Sequence, residues 1–101
     1  MLKITVIYEN PQDPDAFEAG YREQLSLAKQ IPGVQRVESA KVCPKEDGSA
    51  TPAYRLLDMY FSGYDAASEA VTTGQAGAFV SKVFEQATGG VRIVFADIEE
   101  V

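Results

Sequence analysis

The chain has no histidine, a single cysteine, and no apolar run that approaches the length of a membrane span. Without histidine it lacks the commonest metal ligand and the usual general base near neutral pH. One cysteine and carboxylates make no known structural zinc spacing, so neither a metal nor another cofactor is expected. Cys43 has no second cysteine to pair with in the chain, and a lone thiol suits a reducing compartment. A bilayer crossing takes about 20 apolar residues. Met1 leads straight into a strand-like segment without the layout of a signal peptide. A cytoplasmic protein with no membrane partner is the expectation.

Basic residues are also few. Nine Lys and Arg stand against fifteen Asp and Glu, for a formal net charge of −6, and the nine are scattered along the chain. Nucleic-acid binding draws on clustered cations, so nucleic acid is not an expected partner. What is present is apolar surface: 46% of 101 residues are hydrophobic, enough for one core and too little chain for two. A domain of this size buries only about 60–65% of the surface its unfolded chain exposes, so an added interface helps it. A homodimer is expected on that ground.

Leu2, Ile4, Val6 and Tyr8 alternate with Lys3, Thr5 and Ile7, the period of a strand with one face better buried. Asp13-Pro14-Asp15 has the chemistry of a helix start, with Asp13 as N-cap and Pro14 in the first turn. A helix is predicted over residues 14–31, ended by Pro32-Gly33. Residues 34–43 read as a strand and 44–52 as a polar hairpin loop. Residues 53–62 read as a nearly continuous apolar strand covered on both faces. Residues 63–72 and 74–86 form a second helical region broken near Thr73-Gly74. Val91, Ile93 and Phe95 alternate in a last strand over residues 91–97.

The order β-α-β-β-α-β is the split βαβ pattern of an α+β, ferredoxin-like domain with a four-stranded antiparallel sheet. Both helices pack on one face, and a two-fold copy is the economical cover for the other. Two such sheets facing each other make a dimeric α/β barrel. No linker divides the chain, so residues 1–101 are one domain.

Gln24 is the first residue to need explaining. On the helix over 14–31 it falls within about 20° of Phe17 and about 40° of Ala28, in the middle of the apolar stripe. A buried amide without partners costs about 1–3 kcal/mol. Gln24 is therefore either a pocket group that hydrogen-bonds a ligand or an amide bonded to a neighbouring Tyr or carbonyl. The aromatics offer a second signal, since apolar cavities with a few polar groups are how small-molecule pockets are built. Tyr8, Phe17, Gln24, Tyr60, Phe79 and Phe84 are the expected lining of a cleft between helices and sheet, with ordinary core and dimer packing as the alternative.

Three further features carry less. Arg55 and Asp58 interrupt an apolar strand on opposite faces, three residues apart. Asp58 reads either as a pocket base or, more commonly, as a carboxylate at a sheet edge or one paired with Arg36 or Arg92 between subunits. The double glycine of Ala87-Thr88-Gly89-Gly90 precedes a strand, so it reads as a chain reversal and not a phosphate loop. Cys43 has no activating base in view and reads as a passive thiol.

Three stretches resemble the EthD family, named after ethyl tert-butyl ether degradation, within the dimeric α/β barrel group. They are Val6-Ile7-Tyr8-Glu9-Asn10-Pro11, Leu27-Ala28-Lys29-Gln30-Ile31-Pro32-Gly33 and Ala87-Thr88-Gly89-Gly90-Val91. The resemblance spans nearly the whole chain. Family members commonly carry a His two residues before Pro-Leu-Ala in the first helix. The matching positions here are Gln24 and Ser26, ahead of Leu27-Ala28, and the chain departs from the pattern at both. An amide can hydrogen-bond but does not exchange protons at ordinary pH.

The resemblance implies a link to the degradation of organic compounds, and with the expected cleft the first reading is an EthD-like homodimer that binds a small, largely apolar metabolite as an accessory to it. Two alternatives stand beside it: a cofactor-independent monooxygenase or isomerase of the same barrel group, and a structural dimer without ligand. The catalytic residues, if any, are not legible.

Overall fold

The computed structural model describes all 101 residues. Its first strand, β1 (Leu2–Tyr8), precedes helix α1 (Pro14–Lys29), then strands β2 (Arg36–Lys41) and β3 (Arg55–Phe61). Helices α2 (Tyr64–Ala70) and α3 (Gly74–Gln86) follow, and β4 (Val91–Asp97) is last. The four strands form one antiparallel sheet in the order β2-β3-β1-β4.

Register sorts the side chains by face. Leu2, Ile4, Val6 and Tyr8 stand opposite Phe61, Met59, Leu57 and Arg55 of β3. On the other side of β1 the same residues face Asp97, Phe95, Ile93 and Val91 of β4. These share one face of the sheet, because strand side chains alternate with period two. The helices close over it: Phe17, Tyr21 and Ala28 of α1, Ala67 and Ala70 of α2, and Ala76, Phe79 and Val83 of α3 join it in one buried cluster. Each large apolar side chain so buried contributes about 1.5–3 kcal/mol. The opposite face presents Thr5 and Ile7, Leu56 and Asp58, and Val94 and Ala96, with no helix over it.

The helix starts follow the local chemistry. The Asp13 carboxylate accepts from the Ala16 amide at 3.2 Å, Pro14 begins α1, Asp15 lies in its first turn and Lys29 in its last. At α3 the Thr73 hydroxyl accepts from the Ala76 amide, also at 3.2 Å. The second helical region is two helices, so the order is β-α-β-β-α-α-β. The break at residues 71–73 is a full cap and restart: the Thr72 and Thr73 hydroxyls donate to the Glu69 and Ala70 carbonyls at 2.7 Å and draw the chain out of α2. The elements are shorter than the apolar pattern predicts: α1 ends at Lys29, and β2 and β3 start two residues late. Hydrophobic pattern marks burial, whereas element ends are set by where backbone hydrogen bonds stop.

Gly89 joins the ends of the sheet. A Cβ there would lie 1.9 Å from the Asn10 carbonyl oxygen, because the turn before β4 passes directly against the chain leaving β1. The next residue, Gly90, has φ of 104° and accepts from the Glu9 amide at 3.0 Å. The double glycine is thus a chain reversal. Gly89→Ala is expected to destabilise the fold by about 2 kcal/mol or more, since backbone must move to admit the methyl; urea unfolding followed by circular dichroism measures it, and an unchanged midpoint would contradict the close approach.

Candidate functional site

Beneath the helices the buried layer divides into a polar end and an apolar end. At the polar end Gln24 is fully buried, and both ends of its amide are used. The Tyr8 hydroxyl donates to Gln24 Oε1 at 2.5 Å, and Gln24 Nε2 donates to Gln86 Oε1 at 2.5 Å. Burial, with Tyr21 adding, holds the Tyr8 hydroxyl far above its ordinary pKa, so it stays a donor. The three side chains tie β1, α1 and α3 together. Space for the Gln86 amide comes from Gly20, where a Cβ would lie 2.2 Å from Gln86 Nε2.

Aromatic rings surround this chain. Tyr8 meets Phe17 edge-on at 5.2 Å, Phe17 stacks on Tyr21 at 5.4 Å, and Phe17 meets Tyr54 edge-on at 5.4 Å. Beyond them Arg55 grips Glu18 with two nitrogens, Nε to Oε2 at 2.9 Å and Nη2 to Oε1 at 2.7 Å. Its guanidinium carbon stands 4.5 Å from the centre of the Tyr21 ring. The Arg55 hydrogen bonds, helped by one from the Tyr54 hydroxyl, lower Glu18 to about 2. Arg55 thus fastens the start of β3 to α1.

The apolar end lies between the sheet and the α2–α3 side. It is a cleft of about 50 Å³ lined by eleven hydrophobic residues and no other. Ile4, Val6, Met59 and Phe61 form its floor, Ala76 and Phe79 of α3 its roof, and Ile31 lies just past the end of α1. Val71, Val80, Ile93 and Phe95 form a rim that is 36–48% exposed. The rim exists because the helices lie over the centre of the sheet and leave the inner face of edge strand β4 partly bare.

The six residues expected to line one cleft do not meet in one. Phe79 lies in the apolar cleft. Tyr8, Phe17 and Gln24 are buried at the polar end, where Tyr8 bonds Gln24 and meets Phe17 edge-on. Tyr60 lies on the uncovered face, because it alternates with Met59 and Phe61; there its hydroxyl donates to Glu38 at 2.6 Å and it borders a polar depression of about 650 Å³. Phe84 is 61% exposed. The buried row of α3 is Ala76, Phe79 and Val83, and the row through Val80 and Phe84 turns toward solvent.

Asp58 also occupies the uncovered face. The Thr5 hydroxyl donates to it, and Lys3 Nζ lies 3.7 Å away. Within the subunit Arg36 pairs with Glu38 at 2.7 Å, and Arg92 with Glu9 at 3.1 Å. The cleft also takes in Ile4, Val6, Met59, Ile93 and Phe95, which are the inward positions of three adjacent strands, so strand alternation was the signal for them.

The sheet order and the helices on one face define a ferredoxin-like α+β domain. No family model matches the chain. Among solved structures, it superposes on an EthD family protein from Bacillus halodurans at TM-score 0.90, covering 98% of this chain and 99% of that one at 21% identity. It also superposes on SnoaB, a cofactor-independent oxygenase from Streptomyces nogalater, at TM-score 0.71, covering 99% and 94% at 10% identity. A dimeric ferredoxin-like protein of unknown function from Thermobifida fusca gives TM-score 0.71 over 96% and 90% at 12% identity. The EthD resemblance read in the sequence is thereby borne out at the level of the fold.

A Rhodococcus erythropolis protein described as an uncharacterized 11.0 kDa protein in the thcB-thcC intergenic region is 34% identical, covering all of this chain and 98% of its own. The chain belongs to the same family as that protein. No helix in it is long and apolar enough to cross a membrane.

Two measurements probe the polar end. With Gln86 in place, Gly20→Ala should lose about 1 kcal/mol, because it dislodges the amide that Gln24 needs; in a Gln86→Ala background the same change should gain about 1 kcal/mol from helix propensity. Urea titrations of the four proteins read that change of sign. Because Glu18 is lowered from its ordinary 4.5 to about 2, its contribution to stability is complete above pH about 4.5 and lost as pH falls toward 2. Thermal melts of Glu18→Gln should accordingly depend less on pH across that window than those of the unaltered protein.

Proposed function

We propose that the protein is an EthD-like homodimer that binds a small apolar molecule in each subunit, as an accessory to the degradation of organic compounds. The observation that carries this reading is the all-apolar cleft beneath α3, open to solvent through a rim of exposed aliphatic and aromatic side chains. Ligand pockets are largely apolar and largely preformed. No acid or base lines this one, which favours binding over catalysis.

Support for the dimer comes from two sides. Structural neighbours from Thermobifida fusca and Jannaschia are described as dimeric. In this chain, Ile7 stands opposite Leu56, and Val94 lies one pair along opposite Thr5, on a sheet face that no helix covers, and a second sheet is the economical cover. The degradative role rests on the family resemblance.

Titration with benzene, followed by methyl NMR, tests the ligand reading. Shifts should saturate at Ile4, Val6 and Val80 and be absent at Ile7 on the other face; uniform or absent shifts would sink it. Sedimentation tests the assembly: Leu56→Lys should convert a dimer into a monomer with little change in far-ultraviolet circular dichroism. Because SnoaB uses this fold as an oxygenase, oxygen uptake with a panel of phenols is the turnover control. Uptake that Tyr8→Phe or Asp58→Asn abolishes would favour an enzyme.

A further inference from the structure

We infer that the cleft takes the unsubstituted hydrocarbon end of a linear molecule, end-on, and leaves the molecule's polar end outside the rim. This inference rests on the apolar-ligand reading and names its ligand class: primary alkyl compounds.

Size is the first argument. A cavity needs only about 10–15 Å³ of accessible space to seat one water, and a methylene is of similar bulk, so a cleft of about 50 Å³ holds roughly three to five carbons as it stands. Pockets that enclose a whole drug-sized ligand run to about 300–1,000 Å³. What enters here is therefore the end of a molecule.

Chemistry of the lining is the second. All eleven lining residues are hydrophobic, and the nearest buried polar chain, Tyr8–Gln24–Gln86, already bonds within itself. A hydroxyl or carboxylate pushed into the cleft would lose its water and gain no partner. The end that enters must carry no polar atom.

The rim is the third. Val71, Val80, Ile93 and Phe95 are each part-exposed apolar surface at the mouth, and the Tyr64 ring continues that surface with its centre 6.4 Å from that of Phe95. An alkyl chain leaving the cleft thus stays on apolar surface for several carbons before it meets water. The larger depression of about 650 Å³ on the opposite face offers no such path, because Lys3, Arg36 and Asp97 line it.

The probe is a series of primary n-alcohols from butanol to decanol, set against the α,ω-diols of equal length and titrated into the full chain while the Ile4 and Val6 methyls are followed by NMR. Affinity should rise roughly fourfold per methylene and level off once cleft and rim are covered. Each diol, with a hydroxyl at both ends, should bind at least tenfold more weakly than its alcohol. Val80→Phe, a change at a part-exposed position of the rim, should narrow the mouth and weaken every alcohol; Ala76→Leu should do so by filling the roof. Diols that match the alcohols, or affinity independent of chain length, would overturn end-on binding. Saturable benzene binding without alcohol binding would overturn this inference and leave the ligand reading standing, whereas failure of both probes would remove that reading as well.

Discussion

Placing β1 in the interior of the sheet commits its seven side chains to two faces, and the rest of the molecule follows from that commitment. Leu2, Ile4, Val6 and Tyr8 must be covered, because strands on both sides bring Leu57, Met59, Phe61, Ile93 and Phe95 onto the same face. Three helices supply the cover. Lys3, Thr5 and Ile7 are turned the other way by the same period, onto a face that mixes Ile7 and Leu56 with the Thr5–Asp58–Lys3 cluster. A slip of one residue in β1 would exchange the two faces. The Asp58 contacts help to specify the register, since Thr5 stands directly opposite Asp58.

Within the covered layer, polar and apolar groups are kept apart by the geometry of α1 and α3. Gln24 and Gln86 meet where those helices come close, and the contact needs Gly20 because a methyl there would occupy the amide's place. The glycine costs about 1 kcal/mol of helix propensity, offset by satisfying a buried amide that would otherwise cost about 1–3 kcal/mol. The N-terminal half of α3 does different work, roofing the apolar cleft with Ala76 and Phe79. One helix thus closes the polar chain at its C-terminal end and borders the cleft at its N-terminal half.

That separation shapes what an EthD-like fold can do here. Fold alone carries no activity, and the same architecture serves an oxygenase in SnoaB. In this chain Gln24, where the sequence resemblance leads one to expect a histidine, is an amide held between a tyrosine and a second amide. It links three elements of structure. The open apolar surface lies elsewhere, where β4 extends beyond the helices.

Much of the fold was legible residue by residue. Alternation in 2–8, the Asp13-Pro14 start and the double glycine at 89–90 each specify local conformation through short-range sterics and hydrogen bonding, and each stands where it was expected. The anomaly of Gln24 was equally legible, because helical spacing alone places an amide on an apolar stripe. Its partners were not, since Gln86 is 62 residues away and the bond depends on how two helices cross. Tyr60 and Phe84 mark the same boundary: both are aromatic in apolar segments, and only sheet register and helix rotation assign one to the uncovered face and the other to solvent. Sequence by itself determined the elements, their order and the presence of one buried polar group, because these follow from interactions within a few residues. Only the tertiary structure decided which side chains share a cavity, because that depends on the pairing of strands distant in the chain and on how far the helices extend across them.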